Sequence, residues 1–594
     1  MSERISDAAR WGIEQGYHDV FGNWHAVTDE TVARLVAALS RGHDVNPDRP
    51  GADNGGGGTE TARAFQGNGR RVWGIAIQLY ALRSRHNWGH GDFGDLRRLI
   101  EIAAKRGAAA IGLNPLHALF RDRAERASPY GPNSRLFLNV LYIDVAGVPE
   151  FQGTDFSSLA ARIAALRASE LIDYRGVSTV KLAALRLAHA RFRVQATAER
   201  RADFESFRAE RGEALLRFSC FEALRQRFGS KPWTEWPRPW NDPDVKTLQA
   251  FRVASENEDE CDFHEFLQWT AHRQLDACKQ VARELGMSIG LYTDLAVGID
   301  RHGADAWSEQ QTIMADLSVG APPDEFNPKG QDWGLAPHNP LTMAQNDFAP
   351  LRRLMRAVMR HAGAVRIDHV LGLNRMFLIP AGAGAANGAY VRYPFEAALR
   401  VIAEESNAAR CIVIGEDLGT VPDGFRDTIM RWGLWSYRVL LFEREGDGRF
   451  RPPEAYPEQA LATFNTHDLP TFRGWMTGHD LRTKHEIGFD PGESVEARTW
   501  WQGSLRALLS ERGGGRSADD FAAVAAVLGA TPSRLVMVGL EDVLGVVDQV
   551  NIPGTIGEHP NWRRKLPVDV EDLDGNQALG DVAAAFAQAG RSDS

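Results

Sequence analysis

Acidic side chains that follow short apolar runs are the residues of this sequence best suited to catalysis. A carboxylate buried at the end of a strand costs free energy unless it is paired or used in chemistry. One such residue is often part of a structural ion pair, but several at equivalent positions are hard to explain by structure alone. The pattern therefore predicts one shared site built from carboxyl groups. The candidates are Asp294, Asp368, Glu416, Asp417 and Asp468.

Carboxyl groups in two protonation states are what retaining glycoside chemistry requires. One must be ionised to attack the anomeric carbon, and the other must hold a proton for the leaving oxygen. Arg366 lies two residues before Asp368, on the same face of an extended chain, and can hold Asp368 ionised. Glu416 follows the apolar residues 411–415, which can desolvate its carboxyl group and raise its pKa. These features favour Asp368 as nucleophile and Glu416 as general acid.

The remaining chemical signals in the sequence are weak or absent. His467 precedes Asp468 and completes the polar set. Cys261 and His264 have a metal-like spacing, but no second pair completes a zinc site, so we expect no resident metal. There is no phosphate-binding glycine loop, serine elbow or nucleotide motif, and no cofactor is expected. The glycine-rich residues 381–389 are interpreted as a mobile loop over the site.

Eight short apolar runs, separated mostly by helical patterns, are the elements that must position these side chains. Runs of this kind are typical of parallel strands buried on both faces. Eight of them predict a closed (β/α)₈ TIM barrel, with the site at the carboxyl ends of the strands. An open doubly wound sheet is the alternative that periodicity does not exclude. The runs cover residues 72–80, 110–116, 288–295, 364–370, 411–419, 436–443, 462–468 and 534–542.

The gap between the second and third runs is too long for one βα unit and is rich in Ala, Arg, Glu and Leu at helical spacing. It predicts a helical insertion within the barrel, and glycine clusters near the N-terminus predict a flexible linker. The predicted organisation is a helical extension over 1–50, a linker over 51–70, a barrel over 71–575 with its insertion over 145–285, and a C-terminal helix and tail over 576–594.

Composition limits which partners the protein can bind and indicates its cellular compartment. The formal net charge is -10, which disfavours binding to nucleic acid or to an anionic membrane and suits a neutral substrate. The sequence has no signal-peptide pattern and no apolar stretch long enough to cross a bilayer. Its four cysteines are scattered, as is typical of reduced thiols. We therefore expect a cytoplasmic protein with no membrane contact.

Several long motifs, in one order along the chain, resemble the amylomaltases, also called disproportionating enzymes or 4-α-glucanotransferases. The resemblance extends from about residue 72 to residue 567. The motifs are QLYALRSRHNWGHGDFGDL (78–96), SPYGPNS (128–134), GAPPDEFNPKGQDWG (320–334), RIDHVLGL (366–373), GAYVRYPF (388–395), GEDLGTVP (415–422), THDLPTFRGW (466–475) and NIPGTIGEHPNW (551–562).

The resemblance implies a TIM barrel of the α-amylase superfamily and transfer of α-1,4-glucan segments by a retaining double displacement. It implies maltodextrins and glucose as substrates. By the family's pattern, Asp368 is the nucleophile and Glu416 the general acid/base, while Asp468 stabilises the transition state. Arg366 and His467 support these three carboxyl groups.

The same resemblance implies further substrate-binding residues. Tyr130 in SPYG stacks on or caps the donor sugar, and Asp294 lines the same site. Trp333 lies on the 320–334 loop, which is expected to cover the acceptor side. Asn551 in NIPGT contacts the donor end, and His369 lies beside the nucleophile among the substrate-binding residues.

Two other functions remain open from the sequence. A hydrolase of the same superfamily would use the same carboxyl groups, and only its products would distinguish it. A catalytically silent glucan-binding protein would be expected to lack one of the three carboxylates, yet Asp368, Glu416 and Asp468 are all present.

Overall fold

The computed structural model describes residues 8–18, 22–41, 63–123, 126–229, 231–323 and 330–593. Its centre is a closed barrel of eight parallel strands. Each strand overlaps one of the eight predicted apolar runs, which confirms the barrel and excludes the open sheet. The strands are β1 (Val72–Ile77), β2 (Ala110–Leu113), β3 (Gly290–Leu295), β4 (Ala364–Ile367), β5 (Ile412–Gly415), β6 (Trp435–Val439), β7 (Ala460–Thr463) and β8 (Leu535–Gly539).

Helices on the outside of the barrel connect most of its strands. β6 and β7 are the exception, because only two short 3₁₀ turns, Leu440–Phe442 and Pro453–Ala455, lie between them. The outer helices that follow β1, β3, β4, β5, β7 and β8 are Phe93–Lys105; Pro340–Gln345 and Ala349–Met359; Phe395–Ala409; Phe425–Arg431; Phe472–Thr477, His479–Glu486, Val495–Arg512 and Phe521–Ala530; and Leu540–Val543 and Gln577–Gln588.

The barrel interior is packed, and small residues on some strands make room for large ones on others. A Cβ added at Gly112 on β2 would lie 3.0 Å from both the Tyr292 ring and the Met537 methyl group. Because β2 carries no side chain there, the tyrosine of β3 and the methionine of β8 occupy that space. Tyr292 and Met537 are both buried.

Strand register brings the candidate residues to one level. Arg366 on β4 pairs with Asp294 on β3, and Ile367 pairs with Gly415 on β5. Residues directly opposite in neighbouring strands point to the same face of a sheet. Asp368 and Glu416 therefore leave their strands at the same height, at the carboxyl-terminal rim of the barrel.

A set of helices fills the long gap between β2 and β3. A buried lysine joins this set to the barrel: Lys181 Nζ donates to Leu141 O at 2.7 Å and to Ile143 O at 2.9 Å, and lies 3.4 Å from Asp92 Oδ2. Asp92 caps the first outer helix of the barrel, so the ammonium fixes helix Tyr174–Gln195 to it. The helices are Ala160–Ala168, Tyr174–Gln195, Ala198–Phe228, Val245–Val253 and Glu258–Glu284.

A second sheet of five antiparallel strands stands beside the barrel, and the apolar pattern of the sequence does not predict it. The residues read as a loop over 320–334 contribute two of its strands, with 324–329 outside the described residues. The apolar stretches in these strands are short and interrupted by glycine, which explains why the pattern was not recognised. In spatial order the strands are Ala389–Arg392, Arg375–Pro380, Leu317–Ala321, Gln331–Ala336 and Ile299–Asp300.

The glycine-rich segment 381–388 joins two strands of this sheet and packs against the N-terminal helix Asp29–Leu39. Arg34 donates to Ala381 O at 2.6 Å, and Thr31 donates to Asn387 O at 3.1 Å. Its movement over the site stays a prediction.

The N-terminal segment was expected to be helical, but its described part is only partly so. Besides helix Asp29–Leu39 it contains an antiparallel pair of strands, Gly16–His18 and Trp24–Ala26. Aromatic residues favour strands, and Tyr17 packs edge-on against Phe377 of the second sheet, which explains the difference.

Most of the predicted linker, residues 51–62, lies outside the described residues. The described part lies against the amino-terminal end of the barrel, where Gln66 donates to Gly433 O and accepts from Trp435 Nε1 at 3.1 Å. In the described ranges no helix combines the length and the apolar character needed to cross a membrane.

Candidate active site

Arg366 binds two carboxylates at the carboxyl-terminal ends of β3 and β4. Arg366 Nη1 donates to both carboxylate oxygens of Asp294 at 2.8 Å, and its Nη2 donates to Asp368 Oδ1 at 2.8 Å. A guanidinium presents its donors in a fixed fork, so this pairing fixes both carboxylates in position. The second oxygen of Asp368 makes no hydrogen bond to a described residue. It is available to a substrate.

The carboxylate of Glu416 is fixed by main-chain donors. His369 N donates to Oε2 and Leu418 N donates to Oε1, both at 2.9 Å. His369 has a φ of +48°, a conformation that non-glycine residues rarely adopt. The left-handed turn at His369 lets the chain leave β4 and still direct its N–H toward the carboxylate that follows β5.

Asp417 does not belong to the site, although it follows the same apolar run. It accepts from Ser436 Oγ at 2.5 Å, from Tyr437 N at 2.9 Å and from Arg426 Nε at 2.8 Å. The residue is fully buried. Its neighbour Glu416 points to the other side of the chain, so Asp417 is the structural carboxylate of the pair.

Asp468 is held by an amide and a histidine. Asn551 Nδ2 donates to Asp468 Oδ1 at 2.6 Å, and His467 Nε2 lies 3.4 Å from Asp468 Oδ2. Gln549 Nε2 donates to the main-chain oxygens of Asp468 at 2.8 Å and of Asn551 at 2.6 Å. The segment after β8 thus fixes the carboxylate that follows β7.

Aromatic rings form one wall of the site. Tyr130 stacks on His467 with ring centroids 4.6 Å apart, and its hydroxyl donates to Asp294 Oδ2 at 2.6 Å. Trp562 contacts both rings, at 5.6 Å from Tyr130 and 5.2 Å from His467. Trp562 lies in the NIPGTIGEHPNW motif, but sequence reasoning did not single it out.

Trp333 reaches the site from the second sheet. Its ring meets the His369 ring edge-on, with centroids 5.3 Å apart. Strand Gln331–Ala336 carries it, so the residue predicted on a loop stands on a hairpin arm. The arm thus places the Trp333 ring against His369, the residue that follows Asp368 in the chain.

The electrostatics differ from the simple expectation at Asp368. Burial raises the pKa of Asp368 to about 6, because it outweighs the Arg366 guanidinium, and the Asp294 and Glu416 carboxylates act in the same direction as burial. Arg366 does pair with Asp368, as its position in the sequence predicts. The guanidinium is, however, shared between Asp368 and Asp294, so it does not hold the pKa of Asp368 at the value of an exposed aspartate.

The other two carboxyl groups are tuned in opposite directions. Burial raises the pKa of Glu416 above its usual value, against the opposing effects of Arg366 and the two main-chain donors. Burial would also raise the pKa of Asp468, but His467 and Asn551 outweigh it and hold that pKa below its usual value. Glu416 is therefore the carboxyl suited to carry a proton, and Asp468 is suited to stay ionised.

Comparison with known proteins decides the family. A family model described as 4-alpha-glucanotransferase matches residues 77–570. The chain belongs to this family. A relative named 4-alpha-glucanotransferase from Mycobacterium tuberculosis is 38% identical over 551 residues, 87% of this chain and 75% of the relative. Another, from Haemophilus influenzae, is 36% identical over 544 residues, 86% of this chain and 77% of the relative.

Solved structures agree with this assignment. The amylomaltase from Corynebacterium glutamicum superposes with a TM-score of 0.85 at 27% identity and covers 99% of this chain and 100% of its own. The amylomaltase from Streptococcus agalactiae in complex with acarbose, at 20% identity, has a TM-score of 0.69, covers 88% of this chain and 100% of its own, and shares the fold. The chain is thus a glycosyltransferase that transfers α-1,4-glucan segments.

In this glucanotransferase, sequence reasoning overlooked two acidic residues after β8. Glu541 and Asp542 line a cavity of about 100 Å³ together with Tyr130, Asp294 and His467. Burial raises the pKa of Glu541 to about 7 and that of Asp542 to about 8. The signal was present, since both follow the last apolar run, as the other carboxylates follow theirs.

Proposed function

We propose that this enzyme moves an α-1,4-glucan segment from one maltodextrin to the 4-hydroxyl of glucose or another maltodextrin in the cytoplasm, through a covalent glycosyl-aspartate. The observation that carries the proposal is that carboxyl groups at the ends of three barrel strands meet in one cleft with different proton affinities. Asp368 has an oxygen available for attack, Glu416 tends to keep its proton, and Asp468 tends to stay ionised.

In the first step, an Asp368 oxygen attacks the anomeric carbon as the bond from that carbon to the leaving oxygen breaks. Glu416 gives its proton to the leaving oxygen, so the departing glucan is a neutral alcohol. Asp468, fixed by Asn551, accepts hydrogen bonds from hydroxyls of the reacting ring and stabilises its developing positive charge. Tyr130 offers the ring face on which that sugar stacks.

In the second step, Glu416 takes the proton of an acceptor 4-hydroxyl. The acceptor oxygen attacks the anomeric carbon, and the bond to Asp368 breaks. Two displacements at one carbon leave the product in the α-configuration. Both carboxyl groups return to their starting protonation states.

Transfer rather than hydrolysis requires that an acceptor sugar displaces water at the glycosyl-enzyme. The hairpin arm with Trp333 supports this, because its ring lies against His369 beside the nucleophile. An apolar ring at this position excludes water and offers a surface to a sugar. His369 and Trp333 are thus proposed to line the acceptor side.

The deciding experiment is to incubate the purified protein with maltotriose and separate the products by size. We expect glucose together with a ladder of maltodextrins longer than the substrate. Glucose and maltose with nothing longer would identify a hydrolase of the same superfamily and would contradict the transfer proposal.

The rate should depend on pH through Asp368. Because burial raises the pKa of this carboxyl to about 6, kcat/KM for maltotriose is expected to fall about tenfold per pH unit below pH ~6, where the nucleophile is protonated. The Asp294 carboxylate contributes to that raised pKa, so Asp294→Asn should move the acidic limb to lower pH. An acidic limb near pH ~4, the value of an exposed aspartate, would contradict the assignment.

A further inference from the structure

Trp562 has a backbone conformation that bulky residues rarely adopt. Its φ is +61°, in the left-handed region, which strains a residue with a large side chain. The residue is nevertheless buried, with 6% of its surface exposed. Strain of this kind persists only where the surrounding structure imposes it, and it is concentrated at functional sites. The contacts of the Trp562 side chain and main chain show what imposes the conformation here.

The indole of Trp562 lies against the two stacked rings of Tyr130 and His467, which we call the aromatic wall. Its centroid is 5.2 Å from the His467 ring and 5.6 Å from the Tyr130 ring. His467 Nε2 in turn lies 3.4 Å from Asp468 Oδ2. Because buried rings are closely packed, a shift of the indole would move the His467 ring and, with it, the Asp468 carboxylate.

A hydrogen bond from the helical insertion between β2 and β3 fixes the main chain at Trp562. The Tyr174 hydroxyl donates to Trp562 O at 2.6 Å, and Tyr174 is the first residue of helix Tyr174–Gln195. Tyr174 is buried. Trp562 N donates to Val550 O at 3.2 Å. Both main-chain polar groups of the strained residue are thus bonded, the carbonyl to the insertion and the N–H to the residue before Asn551.

The chain that follows Trp562 pairs with the same insertion. Ile172 N donates to Arg563 O at 2.8 Å, and Lys565 N donates to Glu170 O at 3.2 Å. The two short segments run antiparallel to each other. Segments joined by such hydrogen bonds have little freedom to slide past one another. The insertion therefore determines where the turn at Trp562 lies.

We propose that Trp562 is a positioning residue for the reaction, and that the helical insertion holds it in its strained conformation through the hydroxyl of Tyr174. The indole keeps His467, and through it Asp468, where the reacting sugar needs them. The inference rests on the transition-state role given to Asp468 in the proposed function. Because misplacing such a group weakens binding of the transition state more than binding of the substrate, the effect falls on kcat rather than on KM.

The test begins with Tyr174→Phe, which removes the hydroxyl and keeps the ring. We expect kcat for maltotriose to fall about threefold to tenfold, the usual range for one hydrogen bond, with KM unchanged. Trp562→Leu, which removes the ring beside His467, should lower kcat about 10- to 100-fold. Trp562→Phe keeps an aromatic ring and should recover most of that loss. Tyr393→Phe is the matched control and should keep the wild-type kcat, because the Tyr393 hydroxyl also donates to a main-chain oxygen at 2.6 Å, that of His338, outside the aromatic wall.

A double variant distinguishes positioning from a general loss of stability. If the Tyr174 hydroxyl acts through the Trp562 ring, the combination of Tyr174→Phe with Trp562→Leu should be no slower than Trp562→Leu alone. Losses that multiply would overturn the proposal, as would a wild-type kcat for Tyr174→Phe or an equal loss in Tyr393→Phe. If Trp562→Leu does not fold, the comparison of Tyr174→Phe with Tyr393→Phe decides by itself.

Release of fluoride from α-maltosyl fluoride separates this inference from the transfer proposal. The release reports formation of the glycosyl-enzyme, which a hydrolase with the same carboxyl groups would also form. Tyr174→Phe should therefore release fluoride more slowly than wild type and Tyr393→Phe, whether the sugar then passes to another sugar or to water. Fluoride release by wild type without any longer maltodextrin would contradict transfer alone. An unchanged release by Tyr174→Phe would contradict the role of Trp562 alone.

Discussion

Replacement of Asp368 with asparagine is expected to lower maltotriose disproportionation by a factor on the order of 10⁴ or more. The amide cannot form the covalent bond to the anomeric carbon, although it still accepts a hydrogen bond from Arg366 Nη2. Arg366 also keeps its two hydrogen bonds to Asp294, so the fold of the rim should survive. The loss should therefore appear in kcat, with unfolding temperature little changed.

Asp423→Asn serves as the matched control, since Asp423 is exposed in the loop that follows β5. It should leave the rate unchanged.

A chemical test of the nucleophile role of Asp368 uses Asp368→Gly with an α-maltosyl fluoride donor and sodium azide. If Asp368 is the nucleophile, azide enters the vacated space, attacks the anomeric carbon directly and gives the β-glycosyl azide. Near-normal turnover of Asp368→Asn, or an α-azide from Asp368→Gly, would show that another residue attacks.

The barrel was predictable from the sequence because its strands are buried on both faces. Such strands are short apolar runs, and each is followed by the polar residue that the rim exposes. The strand register then brings residues far apart in sequence to one height, as with Asp294 and Arg366. Position after an apolar run therefore pointed to Asp294, Asp368, Glu416 and Asp468. It also pointed to Asp417, which has a structural role, and Glu541 and Asp542 were overlooked although they line the cavity.

What the sequence could not supply was the environment of each carboxylate. Glu416 and Asp417 are adjacent, and only the structure shows that Ser436, Tyr437 and Arg426 bind the second of them. The pKa of Asp368 also depends on carboxylates from other strands, which outnumber the single nearby guanidinium. These contacts join residues that no local pattern relates.

The second sheet escaped prediction for a different reason. Its strands are short, contain glycine, and are paired with partners distant in sequence, such as Leu317–Ala321 with Arg375–Pro380. Strand propensity depends on such neighbours more than on the segment itself. The sheet carries Trp333 to the side of the cleft where His369 and Asp368 lie.

Glu416→Gln is expected to separate the two chemical steps. With maltotriose the variant should lose about 10²- to 10⁴-fold in rate, because the leaving sugar oxygen receives no proton. With α-maltosyl fluoride the first step should remain fast, since fluoride leaves without protonation. Attack by an acceptor sugar is then slow, because no general base takes its proton.

The glycosyl-enzyme should consequently accumulate in Glu416→Gln supplied with the fluoride donor. Intact-protein mass spectrometry should show the added maltosyl group, and peptide mapping should locate it on Asp368. Azide, which needs no base, should restore turnover and give the α-glycosyl azide, the opposite anomer to that expected from Asp368→Gly. If the variant processes maltotriose at the wild-type rate, Glu416 is not the acid/base. If the maltosyl group maps to another residue, Asp368 is not the nucleophile, and the two carboxyl groups must exchange or lose their proposed roles.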